Sequence, residues 1–393
     1  MRRAASAIMF ALLLVSMFAL GLNIQRVRAE LATITVPDDY AKIQWAVGNA
    51  TAGDTVFVRS GTYFERLVVN KSLTLVGEDK EDTIIDGNWT GTVVKIVADD
   101  VSLTGFTIRN AGYTFFYSAV FVQNSSDINL SQNIMENSSV GIYFEYSNNS
   151  TITDNTVVGH YWYDQGIRLV RSNSCLVSGN DVSGGWAINL ITCYNNTVTD
   201  NLVFSKGKYG IRLGWSHGNL IIGNTILNAT SVYVASSWGL WSSYYSTDNT
   251  IFHNNFLNNT NQAHGHNLTN IWDNGYEGNY WSDYSGADLD GDGIGDTPYV
   301  IDVNNTDNHP LMTPYMIGDV NHDAIVDIFD VVLAVGAYLS TPLDPNWNPH
   351  CDVAESYGII DIFDIVMIAQ KYGREWKPLL KTNNYSNNTF SPF

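Results

Sequence analysis

The sequence predicts an all-β fold, a right-handed parallel β-helix, followed by a small α-helical, calcium-binding module. Three observations carry this prediction: an apolar–Asn–apolar repeat recurs along the 393-residue chain, no helical period fits between the repeats, and two similar acidic loops lie near the C-terminus. A single short repeat cannot bury its apolar side chains, whereas stacked repeats form a continuous core. The 45% hydrophobic content suffices for such a core.

The repeat places one apolar residue three positions before an Asn and another two positions after it. The Asn positions are Asn133, Asn155, Asn180, Asn201, Asn224 and Asn254, with successive differences of 22, 25, 21, 23 and 30 residues. Asn tolerates left-handed backbone in tight turns, and stacked Asn side chains can hydrogen-bond from coil to coil. We therefore expect these residues to be structural rather than catalytic. The leucine-rich repeat has a similar period, but its dense leucine pattern is absent.

The repeat, the apolar N-terminus and the acidic loops together divide the chain into five segments. We expect a secretory signal peptide over 1–29, the β-helix over 30–284, an acidic exit and linker over 285–316, the calcium-binding module over 317–373 and a polar tail over 374–393. The first segment has a basic start, an apolar run and a small-residue exit. An uncleaved membrane anchor is the alternative, because the run is about 20 residues long. A short helix with an acidic N-cap, near residues 37–47, is expected to cap the first coil.

Charge and cysteine content narrow the function classes. The chain has 20 Lys and Arg against 39 Asp and Glu, which disfavours nucleic acid as a partner and suits calcium and an extracellular or cell-surface location. No second apolar stretch predicts a membrane span after signal cleavage. Cys175 and Cys193 lie in adjacent repeats and form either a disulfide or two buried thiols. The chain has many glycosylation sequons, among them Asn70, Asn88, Asn124, Asn137, Asn149, Asn228 and Asn267.

Strand alternation predicts an outward column of side chains on one face of the β-helix. The column contains Tyr143, Arg168, Asn189 and Arg212, and the aromatic residues Trp162, Trp186 and Tyr209 flank it along one edge. Aromatic rings stack on the apolar faces of sugars, and arginines pair with carboxylates. We therefore predict binding of a polysaccharide or a surface glycan, with mutual packing of the aromatic residues as the structural alternative.

The sequence does not contain a complete catalytic motif. Asp164, Arg168 and Arg212 are the candidate catalytic residues. A glycoside hydrolase needs two carboxylates about 5 to 9.5 Å apart, and no partner for Asp164 is evident. A polysaccharide lyase would need calcium and a basic residue, for which Arg168 or Arg212 would serve.

Two acidic loops with calcium-ligand spacing start 33 residues apart. The first offers oxygen ligands at positions 1, 3, 5, 9 and 12, namely Asp319, Asn321, Asp323, Asp327 and Asp330; the second offers Asp352, Asp361 and Asp364. Ala324 replaces the usual turn glycine of the first loop, and the second loop is one residue longer and poorer in ligands. We expect the apolar residues that follow each loop, Val331, Val332, Leu333, Ile365, Val366 and Ile368, to pack two helices together.

A third acidic stretch lies at the exit of the β-helix. Its carboxylates are Asp288, Asp290, Asp292 and Asp296, which alternate as in a calcium loop but lack an acid at position 12. We expect a calcium loop that stiffens the exit, with a solvated acidic linker as the alternative.

Residues 34–40, 53–55, 61–63 and 84–87, with 279–284 and 297–299 at the other end, resemble the first and last coils of NosD-like and pectin-lyase-like β-helix proteins. The resemblance implies the fold, which hosts lyases, hydrolases, binding proteins and a copper-associated maturation factor. The hydrolase signatures of the pectin-lyase-like group are not reproduced. Copper would need imidazole or sulfur ligands, for which His253, His264 and His266 are the candidates.

The duplicated loop–helix unit resembles dockerin, and this resemblance implies a cohesin-like partner protein. The sequence thus predicts a secreted, glycan-interacting β-helix protein that is assembled or displayed through a calcium-dependent module. A polysaccharide lyase or glycoside hydrolase of a secreted complex is the second hypothesis. A copper-associated or purely structural surface protein is the third.

Overall fold

The computed structural model describes residues 31–112, 114, 116–159, 164–229, 238–242, 245–265, 268–354 and 358–376. The predicted signal peptide, Trp162, His266, Asn267 and the tail beyond Trp376 lie outside the described residues. The described chain forms a parallel β-solenoid of the right-handed type with about ten turns, which confirms the predicted β-helix. No helix in the described ranges is both long and apolar enough to cross a membrane.

Two large parallel sheets build the solenoid. Sheet A contains the strands Thr33–Val36, Thr55–Val58, Thr74–Gly77, Ser102–Thr104, Asn129–Ser131, Thr151–Thr153, Leu176–Ser178, Thr197–Thr199, Leu220–Ile222 and Thr250–Phe252. Sheet B contains Gly61–Phe64, Leu67–Val69, Thr83–Asp86, Val94–Ile96, Thr107–Arg109, Ser118–Gln123, Ile134–Glu136, Val140–Glu145, Thr156–Val158, Gln165–Val170, Asp181–Ile191, Leu202–Gly214, Thr225–Leu227, Trp238–Ser242, Asn255–Leu257, Asn261–His264 and Tyr280–Trp281. The long strands Asp181–Ile191 and Leu202–Gly214 each span two rows of sheet B, so each coil has three sides.

The core follows from the strand register. On sheet A, one apolar residue of each coil lies directly above its equivalent in the previous coil, as Ile152 lies above Leu130 and below Val177. All three side chains are fully buried. Because side chains alternate between the two faces of a strand, in-register stacking buries every second position along the whole solenoid.

The repeated Asn residues form a buried hydrogen-bonded ladder inside one turn. The Nδ2 group of each residue from Asn133 to Asn254 donates to the Oδ1 atom of the next Asn at 2.9 to 3.2 Å, and Asn279 extends the ladder. The structure corrects one detail: the left-handed residue is the one before the Asn, as at Asp154 and Asp200, with φ of 56° and 55°. The Asn therefore serves as a coil-to-coil connector rather than as the left-handed turn residue.

A second buried Asn ladder, which the repeat pattern did not reveal, lines another turn. Its members are Asn196, Asn219, Asn249 and Asn270, and it ends at Asn305. The hairpin Tyr299–Asp302 and Asn305–Asp307 supplies the last member of both ladders, because Asp307 accepts from the backbone N–H of Asn279 at 2.7 Å. Residues 285–316, expected to be an exit and linker, thus include the cap on the C-terminal end of the solenoid.

The N-terminal end is capped by helix α1, Ile43–Asn49, with Ile43, Ala46 and Val47 buried. The acidic residue at its N-terminus comes from a later position than expected. The carboxylate of Glu65 accepts the backbone N–H groups of Ile43 and Gln44 at 3.0 Å each. The link between the strands Gly61–Phe64 and Leu67–Val69, rather than residues 38 and 39, therefore satisfies the first N–H groups of the helix.

The C-terminal region pairs two loop–helix units. Helix α2 is Ile328–Gly336, a 3₁₀ turn is Pro349–Cys351, and helix α3 is Ile362–Gln370. Their backbone bonds follow a 34-residue offset: Leu339 N donates to Ile360 O at 2.8 Å, and Gly373 N donates to Val326 O at 2.8 Å. The two units are therefore related by an approximate two-fold axis.

The helices pack through fewer apolar residues than expected. Ile368 is fully buried and Val331 and Ile365 are half-buried, but Val332, Leu333 and Val366 are exposed. The small module core is completed by residues outside that set, namely Val320, Val326, Ala334, Ala337, Cys351 and Ile360.

Candidate functional site

The strand registers of sheet B align one outer position of eight successive coils into a ladder. From the N-terminal side its members are Lys95, Phe121, Tyr143, Arg168, Asn189, Arg212, Trp241 and His264. We call this set the outer ladder. Four of its members were predicted from strand alternation, and Phe121 and Trp241 extend it with aromatic rings. A neighbouring register aligns Gln165, Trp186 and Tyr209 along its edge.

Each ladder arginine lies between two aromatic rings. The guanidinium carbon of Arg168 is 5.2 Å from the ring centres of both Phe116 and Tyr143. That of Arg212 is 5.3 Å from Trp186 and 5.1 Å from Trp241. Such contacts orient a guanidinium without using its N–H donors, so the donors remain available to other groups.

Amide side chains fix the two arginines in the ladder. Arg168 Nη1 and Asn189 Nδ2 both donate to Gln165 Oε1, at 2.9 and 2.8 Å, and Arg212 Nη1 donates to Asn189 Oδ1 at 3.1 Å. Arg168 Nε is buried and has no hydrogen-bond partner among the described residues. Burial lowers the pKa of Arg212 from its usual value. The sequence offered no signal for the role of Gln165, because that role depends on the neighbouring coil.

The ladder is less exposed than strand alternation predicted. Tyr143, Asn189 and Tyr209 are buried, whereas Arg168, Arg212 and Trp186 are half-buried. The physical reason is mutual packing: Phe121 stacks on Tyr143 at 4.8 Å, and Tyr209 stacks on Trp241 at 5.0 Å. The accessible groups are therefore the arginines and ring edges.

Carboxylates are scarce on this surface. Asp164, a candidate catalytic residue, is buried beside the ladder. In the strand row that carries the outer ladder, Glu145 is the acidic residue among the described positions, and it accepts hydrogen bonds from Tyr143 and Gln123. Glu136 and Asp181 lie on the neighbouring strand row of sheet B. The registered positions thus do not provide two facing carboxylates, which a glycosidase requires.

A second row of rings lies on the turn beyond the ladder and was not predicted. Tyr146, Trp215 and Tyr245 are 45, 48 and 63% exposed, and Trp215 stacks on Tyr245 at 6.5 Å. Arg171 lies 5.2 Å from the ring centre of Tyr146. We call these residues the turn row.

The first acidic loop has a preformed, turned backbone. Asp319 accepts the N–H groups of Asp323 and Ala324, and Ala324 has a φ of 70°, the left-handed conformation usually filled by glycine. Asp330 is fully buried and accepts from Val320 and Asp327. Burial raises the pKa of Asp319 to about 6.

The other predicted ligands of this loop make hydrogen bonds within the loop and to helix α2. Asn321 donates to Asp323, and Asp327 caps helix α2 through the N–H of Phe329. Asp327 and Asp330 together form a capping box.

The second loop repeats this arrangement. Asp364 accepts from Val353, Ala354 and Asp361, and Asp361 caps helix α3. Asp352 accepts from Gly358 at 2.7 Å, while its Oδ1 atom is buried with no partner in the described part of the chain. Burial raises the pKa of Asp352 to about 6.

The third acidic loop brings three carboxylates together. Oxygen atoms of Asp288, Asp290 and Asp292 lie within 4.8 Å of one another. Asp296 points elsewhere in the loop and accepts the N–H of Leu289 at 2.7 Å.

Cys175 and Cys193 are free and buried, so the disulfide alternative is wrong. Burial raises the pKa of Cys175 to about 11 and that of Cys193 to about 12, which makes both thiols poor nucleophiles and poor metal ligands.

These features define a class of protein, a parallel β-helix with an elongated outer ladder and an appended pair of loop–helix units. The family model described as "Periplasmic copper-binding protein (NosD)" matches residues 47–286. The chain therefore belongs to the NosD family.

Two curated relatives are similar to parts of the chain. A probable ABC transporter binding protein NosD of Stutzerimonas stutzeri is 34% identical over 143 residues, which are 33% of this chain and 32% of that protein. A cell surface glycoprotein of Methanothermus fervidus is 26% identical over 382 residues, covering 79% of this chain and 61% of that protein. The chain thus spans about a third and about three fifths of these relatives.

Among solved structures, an alginate lyase from Paenibacillus sp. aligns with a TM-score of 0.42 at 12% identity, over 61% of this chain and 98% of that one. An exopolygalacturonase from Thermotoga maritima aligns with a TM-score of 0.42 at 12% identity, over 57% of this chain and 70% of that one.

The residues matched by the family do not by themselves assemble a copper site. Copper prefers imidazole and sulfur ligands. Of the histidines expected to bind it, His253 pairs with Glu277 at 2.8 Å and His264 belongs to the outer ladder. Within 47–286, the described residues form no group of three converging metal donors. The described residues of this region therefore do not fit a copper site.

Proposed function

We propose that this chain is an extracellular or cell-surface protein that binds an acidic polysaccharide along the outer ladder. The observation that carries the proposal is the pair of ring-flanked arginines, Arg168 and Arg212, held in register two coils apart. Parallel strands are spaced by about 4.8 Å, so the two guanidinium groups are about 10 Å apart along the solenoid. A regular row of fixed cations suits a polymer that carries repeated carboxylates.

Local charge supports an anionic ligand. The chain has a net charge of −19, yet this face carries Lys95, Arg168, Lys208 and Arg212, each next to an aromatic ring. A basic strip on an acidic protein attracts an anion selectively to that strip. The names of the relatives, a periplasmic protein and a cell surface glycoprotein, support the proposed location.

The test is affinity electrophoresis in gels that contain polygalacturonate or alginate, with dextran as the neutral control. We expect retention by the acidic polymers, and a loss of at least about tenfold in affinity for Arg168→Ala and for Arg212→Ala, since a charge-assisted hydrogen bond contributes about 1.5 to 3 kcal/mol. Arg171→Ala is the matched control, because Arg171 also contacts an aromatic ring, that of Tyr146, but belongs to the turn row.

The outcomes separate the hypotheses. Retention that is lost in Arg171→Ala but kept in both ladder variants would place the ligand on the turn row and contradict the proposal. Unsaturated products or new reducing ends in the same incubations would show a lyase or hydrolase, and would direct attention to Asp164 and the ladder arginines. Equal retention by dextran would contradict the role of charge.

We further propose that the C-terminal module binds calcium and docks on a partner protein, as the resemblance to dockerin implies. Apolar side chains related by the two-fold axis are exposed in pairs: Phe329 and Phe363 are 63 and 66% exposed, and Ile328 and Ile362 are 53 and 52% exposed. Paired apolar patches of this kind mark protein-interaction surfaces. A cohesin-like protein is the partner class that the resemblance suggests.

Calcium binding is tested by hydrogen exchange on the whole chain. We expect the amides of Leu339 and Gly373, which join the two units, to exchange more slowly in calcium than in chelator. Asp319→Ala removes a ligand of the first loop and should abolish the calcium-dependent slowing of exchange at these amides. Asp344→Ala should not, because Asp344 is an exposed carboxylate outside both loops. Identical exchange in calcium and chelator would contradict calcium binding.

A further inference from the structure

A cluster of buried histidines and one glutamate joins the end of the solenoid to the C-terminal module. Glu277 and His253 belong to the last coils, His322 belongs to the first acidic loop, and His350 lies in the 3₁₀ turn. Their side chains are between 3 and 14% exposed. Neither the repeat nor the loop pattern singles out Glu277, His322 or His350, because they are up to 73 residues apart in sequence.

The donor atoms converge on a small volume. His322 Nε2 is 3.2 Å from His350 Nδ1 and 3.5 Å from Glu277 Oε1, and His350 Nδ1 also contacts Glu277 Oε1. A tetrahedral zinc ion with ligand bonds of about 2.0 to 2.1 Å has ligand-to-ligand edges of about 3.3 Å. The two edges that start at His322 Nε2 therefore have the length that a single bound ion requires, whereas the contact between His350 Nδ1 and Glu277 Oε1 is shorter than such an edge.

A surrounding shell orients the carboxylate and one imidazole. His253 Nε2 is 2.8 Å from Glu277 Oε2, the oxygen that points away from the two other histidines, and the ring of His253 stacks on Tyr315 at 3.9 Å. Gly293, in the third acidic loop, packs so closely on His322 that a Cβ atom there would lie 2.9 Å from the ring. Outer contacts of this kind hold metal ligands in position.

We propose that Glu277, His322 and His350 bind a divalent transition-metal ion of the zinc class, which fastens the C-terminal module to the end of the β-helix. Two imidazole nitrogens and one carboxylate oxygen suit such an ion and not calcium, which takes oxygen ligands. Three protein ligands leave a fourth position to water or another group. Two of the ligands lie outside the residues matched by the NosD family. The site is distant from the proposed glycan site, and although His322 belongs to the first acidic loop, none of the three ligands is among the residues proposed to bind calcium.

The test is titration of the chelator-treated chain with Zn²⁺ by calorimetry, in excess calcium so that the acidic loops do not compete, with metal analysis and X-ray absorption of the product. We expect one Zn²⁺ per chain in a nitrogen and oxygen shell that includes two imidazoles. His350→Ala and Glu277→Gln should each weaken binding by at least about 100-fold, since changes outside the ligand shell alone cost about 10 to 100-fold. His217→Ala is the control, because that half-buried histidine stacks on Tyr194 away from the cluster.

Folding is checked independently by exchange of the Leu339 and Gly373 amides, which must stay protected in each variant that is scored. Absence of stoichiometric Zn²⁺ binding by the unmodified chain would overturn the proposal. Unchanged affinity in well-folded His350→Ala and Glu277→Gln would do so as well, because the ion would then bind elsewhere on the chain.

Discussion

Replacement of Asn201 by Ala tests whether the Asn ladder stabilises the solenoid. Asn201 is 1% exposed, and its side chain makes four hydrogen bonds. Its Oδ1 atom accepts from the backbone N–H and from the Nδ2 group of Asn180, at 3.0 and 2.9 Å. Its Nδ2 group donates to the carbonyl of Val177 and to the Oδ1 atom of Asn224, at 2.9 Å each. Asn180 Nδ2 keeps two other acceptors, and Asn224 Oδ1 keeps the backbone N of residue 201. The substitution therefore leaves the buried N–H of Asn180 without its acceptor, and it removes one hydrogen bond to the carbonyl of Val177, which stays in the parallel ladder of sheet A.

An unsatisfied buried N–H costs about 1 to 3 kcal/mol and each further lost hydrogen bond about 1 kcal/mol, so the free energy of unfolding should fall by about 3 kcal/mol. The assay is urea denaturation followed by far-ultraviolet circular dichroism, together with hydrogen exchange of the Asn180 amide, which should accelerate. Asn129→Ala is the matched control: Asn129 is exposed on a strand of the same solenoid, and its loss should cost no more than about 0.5 kcal/mol.

Asn201→Asp separates geometry from chemistry, because a carboxylate has the same shape but no N–H donor and faces the Oδ1 of Asn224. This variant should be less stable at pH 7 than at pH 4, where protonation restores a donor. The reasoning is refuted if Asn201→Ala and Asn129→Ala unfold at the same urea concentration, since the ladder would then contribute nothing beyond turn propensity.

Three further predictions concern the caps and the thiols. Gly278→Ala should lower the unfolding free energy by about 2 kcal/mol or more, because its Cβ would lie 1.8 Å from Asp307 Oδ1, whereas Gly336→Ala, with nothing within 4 Å, should be neutral or slightly stabilising in thermal melts. Burial raises the pKa of Asp307 to about 6, above its usual 3.8. The stability that this carboxyl contributes should therefore be greatest below about pH 4 and be lost as the pH rises through 6. Asp307→Asn should remove this loss between pH 4 and 7, and an unchanged pH profile of the melting temperature would contradict the assignment. Cys175 and Cys193 should resist a thiol reagent in the folded chain and react rapidly in denaturant; fast labelling of the native protein would show that they are not buried.

Much of the fold could be predicted because its determinants are local and repeated. The apolar residues around Asn155 and Asn180 recur at nearly constant spacing, and stacking is the arrangement that buries them all. The acidic loops were recognisable for a similar reason, since Asp319 to Asp330 place their oxygen atoms within one short turn. Local sequence did not predict the exposure of the outer ladder. Strand alternation gave the correct column of residues, but Tyr143 and Asn189 are buried because rings and amides from neighbouring coils pack over them.

What the sequence by itself determined is the stacking of coils, the Asn connector in each turn and the two-fold repeat of the C-terminal units, because each depends on residues close together in the chain. Only the tertiary structure decided which side chains from distant segments meet. Glu65 caps a helix 22 residues earlier, Asp307 closes a ladder that starts at Asn133, and Glu277 meets His350 across 73 residues. Such contacts depend on how the ends of the solenoid are closed, and no periodicity in the sequence records that closure.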